Sequence, residues 1–256
     1  MTPTNPLRDL LGGGPAPPVA VSFTDDIGPG DVELARRAGV DVAELRVDRF
    51  GSFATDHVVM QVRLFDRFPT LATVRSAAEG GDWTGSERER EEMFHTLLPH
   101  VDGVDVELAS AETLATVIDG TRRQDKVLIV SMHDFEATPR RRDLDAVVER
   151  AGQLGADVVK VATTVRSTSD LRELARFTLD HAERGVIVIA MGDHGSASRV
   201  FFPALGSRLT FAATTHPVPG QLTYRRTFEM LRSFYPEYAA AKAHVDVGAM
   251  GSLAVE

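Results

Sequence analysis

An α/β fold of the (β/α)8 barrel type is the architecture this chain predicts, and three observations predict it. Eight short apolar runs begin 23 to 34 residues apart along the sequence. Segments with helical periodicity fill the gaps between them, the alternation that builds a parallel sheet wrapped in helices. The length, 256 residues, suits one closed barrel, which typically needs about 250. An open doubly wound sheet is the competing arrangement.

In order, the runs are Val19–Phe23, Val42–Val47, Thr70–Arg75, Val104–Leu108, Val127–Met132, Asp157–Val161, Val186–Met191 and Leu209–Ala213. Each is short, rich in β-branched residues and bounded by turn residues, as expected of strands covered on both faces. Helices are expected over Asp31–Ala38, Ser86–Leu98, Leu144–Leu154 and Ser169–Arg184. Ser86 with Glu89 forms a capping-box pair, and Ser169 has Glu173 in its first turn. Gly39, Gly155 and Gly185 each stand between a helix and the next strand, where a left-handed cap is wanted. Residues 1–18, rich in Pro and Gly, read as a flexible lead-in, and residues 19–256 as a single barrel domain. After Pro236 a last helix and a polar tail are expected.

Composition narrows the function classes. Hydrophobic residues make up 43% of the chain, enough for one sizeable core. The net charge of −9 argues against nucleic acid or an anionic membrane as partner. No run approaches the ~20 apolar residues that span a bilayer, and the N-terminus lacks the apolar stretch of a signal peptide. Without cysteine there are no disulfides or thiolate metal sites. A cytoplasmic enzyme with a small-molecule substrate fits these limits.

Barrel enzymes build their sites at the C-terminal ends of the strands, and polar residues of this chain gather there. Because residues two apart share a strand face, Glu44 and Arg46 point into the barrel when Leu45 and Val47 face the helices. A self-satisfied ion pair between the two is the alternative. Asp105 and Glu107 repeat the pattern on the fourth strand, with Arg46 and Lys160 as their candidate cationic partners. Arg75 ends the third strand, where it either meets a ligand or forms a rim salt bridge. Ser131 and His133 share the inward face of the fifth. Lys160 lies within the sixth, and a buried lysine must be paired, exposed at a mouth, or held neutral. A neutral amine attacks carbonyls, and a neighbouring histidine moves protons. The glycine-rich turn from Met191 to Arg199 allows a phosphate cradle or, through Arg199, a clamp for a carboxylate. His216-Pro-Val-Pro-Gly-Gln221 forms a rigid turn delivering one amide.

Taken in order, these pieces resemble the type I 3-dehydroquinate dehydratases. They are Glu44-Leu-Arg46-Val-Asp48, Thr73-Val-Arg75 through Glu79-Gly-Gly, Asp105-Val-Glu107-Leu, Ser131-Met-His133-Asp-Phe-Glu-Ala-Thr-Pro139, Lys160-Val-Ala, Met191-Gly through Arg199, and Pro219-Gly-Gln221. The resemblance implies a barrel enzyme that needs neither metal nor cofactor and works through an imine. In that scheme Lys160 condenses with the C3 ketone of 3-dehydroquinate. His133 takes the C2 proton and returns one to the departing C1 hydroxyl, giving 3-dehydroshikimate by syn elimination. Glu79 orients the histidine. Arg199 and Gln221 hold the substrate carboxylate, and Glu44, Arg46 and Arg75 its hydroxyls.

Two departures accompany the resemblance. Pro217 stands where the family usually has a serine that bonds the carboxylate, so weaker substrate binding, or compensation by His216 or a water, is expected. The N-terminal hairpin that commonly plugs the barrel is expected to be reduced or absent. The rival readings are a lysine-imine aldolase acting on a sugar phosphate and a non-catalytic relative binding a quinate-like effector. Barrels of this size often dimerise through outer helices, and a homodimer is the expected assembly, although no apolar helix face singles itself out.

Overall fold

The computed structural model describes residues 4–214 and 217–249. Its eight strands are β1 (Val19–Phe23), β2 (Val42–Arg46), β3 (Thr70–Thr73), β4 (Gly103–Glu107), β5 (Val127–Asp134), β6 (Val158–Thr164), β7 (Val186–Met191) and β8 (Thr210–Ala212). All ladders are parallel, and the hydrogen-bonded order runs β7-β6-β5-β4-β3-β2-β1-β8. The seam between β7 and β8 is closed just below β8, where Val186 bridges to Ser207 and its carbonyl accepts from Arg208 N at 2.8 Å. A (β/α)8 barrel results, as the spacing of apolar runs predicts.

Strand pleating separates two apolar layers. Outward residues such as Leu45, Val104, Val106, Val130 and Val161 pack beneath the helices in one large cluster. Inward residues Ala20, Val42, Leu71, Ile129, Val158, Ile187 and Phe211 fill the lower barrel in a second. The upper barrel is given over to charged and polar side chains.

The lower layer is completed by a segment expected to be loose. Pro6–Leu11 forms a helix, α1, whose Leu7 and Leu11 are buried in the barrel core. Asn5 caps it by accepting from Leu7 N and Arg8 N, and its own amide donates to Asp102 O at 2.8 Å. Arg8 pairs with Asp157 and donates to Lys126 O at 3.2 Å. A flexible lead-in is therefore not what residues 5–11 form: the bottom of the barrel, where a reduced or absent hairpin is expected, is stopped by a helix. Fit is close, since a Cβ at Gly103 would lie 2.8 Å from Leu7 Cδ2. Burying the two leucines contributes on the order of 1.5–3 kcal/mol each.

The larger outer helices are α2 (Pro29–Arg37), α3 (Thr55–Arg63), α4 (Glu87–Leu97), α5 (Ala115–Arg123), α6 (Arg141–Gln153) and α7 (Thr168–Asp180), with α9 (Tyr224–Phe234) after the short α8 (Ser198–Phe201). The Ser86–Glu89 capping box opens α4 as expected. The cap of α7 is Ser167 rather than Ser169, because Asp170 reaches back to the Ser167 and Arg166 amides at 3.0 and 2.9 Å. That helix also ends at Asp180 and gives way to a 3-10 turn over Ala182–Arg184. Gly39, Gly155 and Gly185 have φ of 76, 72 and 72°, the left-handed values their positions require. After α10 (Pro236–Ala241), Val245 packs back on the core beside Gly39, so the chain to residue 249 is not a free tail. No helix among the described residues is long and apolar enough to cross a membrane.

Candidate active site

A cavity of about 800 Å³ opens at the C-terminal ends of the strands. Lys160, His133 and Glu79 line it, and so do Glu44, Arg46, Arg75, Arg199 and Gln221. The eight residues to which the resemblance gives catalytic or substrate-binding roles thus line one space. Strand register explains how. In the β5–β6 ladder Ser131 pairs with Lys160 and His133 with Ala162, so the lysine and the imidazole rise on adjacent strands one inward position apart. Both strands run farther than their apolar cores suggest, which carries His133 up to the mouth on regular backbone.

Lys160 is 5% exposed and its cost of burial is met by pairing. Its Nζ sits 2.9 Å from Asp105 Oδ2, 3.9 Å from Glu44 Oε1 and 4.4 Å from the centroid of Phe211. Asp105 is wholly buried. Burial works to raise its pKa, but Arg75 and then Lys160 overwhelm it and hold the carboxyl far below the usual carboxylate range. Ser131 Oγ donates to Asp105 Oδ1 at 2.5 Å and completes its coordination.

Arg75 is no rim residue. It is 4% exposed and bridges the two carboxylates of β4, with Nη2 2.8 Å from Asp105 Oδ1 and Nη1 3.1 Å from Glu107 Oε1. Nη1 also donates to Ser131 Oγ at 2.8 Å. Arg46, expected beside these acids, turns instead to Asp48 in a two-pronged pair at 3.0 and 2.8 Å. Glu44 and Arg46 are therefore not each other's partners: Glu44 accepts from Ser22 and, at 3.0 Å, from Thr73.

His133 is held from below. Glu79 Oε2 lies 2.9 Å from its Nδ1 and accepts its backbone N–H at 3.0 Å. Such a distance suggests an imidazolium–carboxylate pair, yet both groups resist charge. Burial, then Arg75 and Lys160, push His133 well below the ordinary histidine value. Burial and the neighbouring Glu107 push the Glu79 carboxyl up to about 7. A neutral imidazole is the outcome near pH 7. With Glu79 ionised, Nδ1 carries the proton and Nε2 presents its lone pair to the cavity.

Arg199 is 6% exposed and meets only carbonyls, Gly220 O from Nε at 3.2 Å and Phe211 O from Nη1 at 3.5 Å. No carboxylate among the described residues pairs with it, and burial lowers its pKa to about 10. Of the turn's side chains Ser198 is spent internally, its Oγ donating to Gly195 O at 2.7 Å and accepting from Ala190 N at 3.2 Å. Gln221 Oε1 accepts from Val218 N at 3.4 Å, and its amide nitrogen has no partner among the described residues. Pro217 is described and exposed, whereas His216, named as a compensating donor, lies outside the described residues.

The molecule matches known proteins along most of its length. A sequence model of the type I 3-dehydroquinases covers residues 25–237. The chain belongs to that family. Among curated 3-dehydroquinate dehydratases, that of Methanosarcina barkeri is 37% identical over 205 residues, 74% of this chain and 85% of the relative. That of Aquifex aeolicus is 30% identical over 220 residues, 85% and 98% of the two chains. The type I 3-dehydroquinate dehydratase of Clostridium difficile superposes with a TM-score of 0.81 at 25% identity, over 88% of this chain and 94% of that one. The Aquifex crystal structure superposes with a TM-score of 0.75 at 30% identity, over 85% and 99%.

Several cavity residues of this type I 3-dehydroquinase carry no sequence signal of their own. Ser22 ends the inward face of β1, Phe211 is the apolar neighbour of the amine, and Phe135 leans over the mouth, half exposed, with its ring 6.4 Å from His133. Only the closed barrel brings them in. In the loop over Glu79–Trp83, Trp83 is buried, donates to Ser86 O at 3.2 Å and packs 4.7 Å from Phe53.

Proposed function

We propose that this chain eliminates water from 3-dehydroquinate to give 3-dehydroshikimate, through an imine on Lys160 with His133 as the proton carrier. The observation that carries the reading is the cavity itself. It joins a buried amine, a neutral imidazole and a buried guanidinium without a carboxylate partner among the described residues. An acidic substrate with a ketone and vicinal hydroxyls needs those three groups.

In this reading the substrate carboxylate docks on Arg199 and on the Gln221 amide. Its ketone meets Lys160. The ammonium passes a proton to His133, the free amine adds to C3, and His133 returns the proton to the carbinolamine hydroxyl, which leaves as water. The resulting iminium inherits the Asp105 contact, so a buried anion already faces the new cation. His133, neutral again, removes the C2 proton, and the electron pair moves into the imine to give an enamine. As the enamine expels the C1 hydroxyl, His133 protonates it. Hydrolysis of the imine consumes the water released at its formation, so one water leaves in total. Glu79 keeps the imidazole in one tautomer and one orientation throughout.

The experiment is to reduce a mixture of protein and 3-dehydroquinate with borohydride and locate the mass adduct. We expect it on Lys160, and we expect His133→Ala to retain the adduct while turnover falls by roughly 10²–10⁴-fold, the usual loss of a general acid–base. Active protein without an adduct would require another route. The sugar-phosphate aldolase is disfavoured by the family match over residues 25–237.

A further inference from the structure

Behind the cavity, one arginine has no contact with it. Arg90, on α4, is 0% exposed and is the largest fully buried side chain of the barrel. Its Nη2 pairs with Glu107 Oε2, and its Nη1 meets Glu87 at 2.9 and 3.1 Å and Ser110 Oγ at 3.3 Å. Phe94 lies 6.0 Å below it, and its Nε has no hydrogen-bond partner among the described residues. Glu107 holds the other side. Its Oε1 takes Arg75 Nη1 at 3.1 Å and Ser76 N at 2.9 Å. Charges therefore alternate from the reacting amine to the outside of the barrel, Lys160, Asp105, Arg75, Glu107, Arg90 and the half-exposed Glu87.

A buried guanidinium is costly, and an apolar side chain of similar volume often serves stability as well or better. What Arg90 alone supplies is a compensating charge on the far oxygen of Glu107. Without it, Glu107 would be an under-neutralised anion next to the base pair. It would also pull Arg75 away from Asp105 and Ser131.

We propose that Arg90 is a positioning residue for the elimination: by neutralising Glu107 from behind, it keeps Arg75 on Asp105 and keeps the His133–Glu79 pair in its working protonation state. This rests on the reaction proposed above. The groups facing that pair are Arg75 at the end of β3, Asp105 and Glu107 on β4, Lys160 on β6 and Arg46 on β2. Glu107 is the second cause, after burial, of the raised Glu79 pKa, so any change in its compensation is read there.

The test is the pH dependence of kcat with 3-dehydroquinate for wild type, Arg90→Gln, Arg90→Lys, Glu107→Gln and the Arg90→Gln/Glu107→Gln double variant. The acid-side limb belongs to the coupled pair rather than to either residue. Arg90→Gln is expected to keep the borohydride adduct on Lys160 and to lose roughly tenfold or more in kcat near pH 7. Its acid limb should move up by about half a unit to one unit, as for a nearby uncompensated charge. Arg90→Lys should restore the limb. Glu107→Gln should move it down, and the double variant should bring it back toward wild type. Uniform loss at every pH with an unmoved limb would make Arg90 merely structural and overturn the proposal. Should Arg90→Gln not fold, the double variant set against Glu107→Gln decides, and a limb that Arg90→Gln fails to move back up in that background would overturn the proposal. A wild type that neither turns over 3-dehydroquinate nor forms the adduct would bring down the reaction itself, and Arg90's role with it; an active wild type with unmoved limbs would sink only the role of Arg90.

Discussion

Lys160 Nζ and Asp105 Oδ2 lie 2.9 Å apart in a space from which solvent is almost excluded, and the same carboxylate is gripped from its other oxygen by Arg75 at 2.8 Å. A buried anion shared between two cations stays ionised whichever form the lysine takes. The environment is thus set for a cation at Nζ before any substrate arrives, which is what the proposed iminium requires.

Glu79 makes stability depend on pH. Its folded pKa, about 7, is above the ordinary carboxyl value of 4.5. The unfolded chain therefore releases this proton first. Its contribution is fully present below pH ~4.5 and is lost as pH rises through ~7. Glu79→Gln, which cannot ionise, is expected to match wild type in Tm near pH 4.5. In unfolding free energy it should exceed wild type at pH 8 by an amount approaching about 3 kcal/mol, the upper limit set by the shift. Thermal melts across that range check the sign, and a gap that closed with rising pH would contradict the assignment.

Arg199 is expected to matter to substrate far more than to the fold. Burial without a counter-charge already costs the protein, as the drop to about 10 indicates. Arg199→Gln should leave the Tm of the unliganded protein unchanged or higher. KM should rise by roughly 100-fold, the loss of one side of a buried charged contact being about 2–5 kcal/mol. A fall in Tm with an unchanged KM would assign Arg199 to the structure.

Pro217 has neither a side-chain donor nor an amide hydrogen. Placing a hydroxyl there by Pro217→Ser is expected to lower KM several-fold, as one added hydrogen bond worth about 0.5–1.5 kcal/mol does, with kcat little changed. Steady-state kinetics decide, and an unmoved KM would dispose of the idea.

The helix at the base of the barrel offers a stability test remote from the chemistry. Leu7 is 0% exposed within the lower apolar layer. Leu7→Ala is expected to cost about 2–5 kcal/mol by denaturant unfolding, with kcat and KM unaffected. If the loss were under about 0.5 kcal/mol, α1 would not be a plug.

Local chemistry carried much of this protein's design in readable form. Periodicity of two placed Glu44, Arg46, Ser131 and His133 on inward faces, and the rule that barrels work at their strand ends drew attention to Arg75, Lys160, Arg199 and Gln221, whereas Glu79 came only with the family resemblance. Pairing was not readable in the same way. Arg75, Arg46 and Arg90 each had several acids within sequence reach, and the choice among them depends on the stagger of neighbouring strands and on how far each side chain extends. Glu107 and Arg90, 17 residues apart, meet only because α4 packs against β4. The base of the barrel was hidden for a different reason. A six-residue helix in a Pro- and Gly-rich segment is marginal in isolation, since helix nucleation is unfavourable over so short a length. It exists because Leu7 and Leu11 find an apolar hole that eight distant strands create.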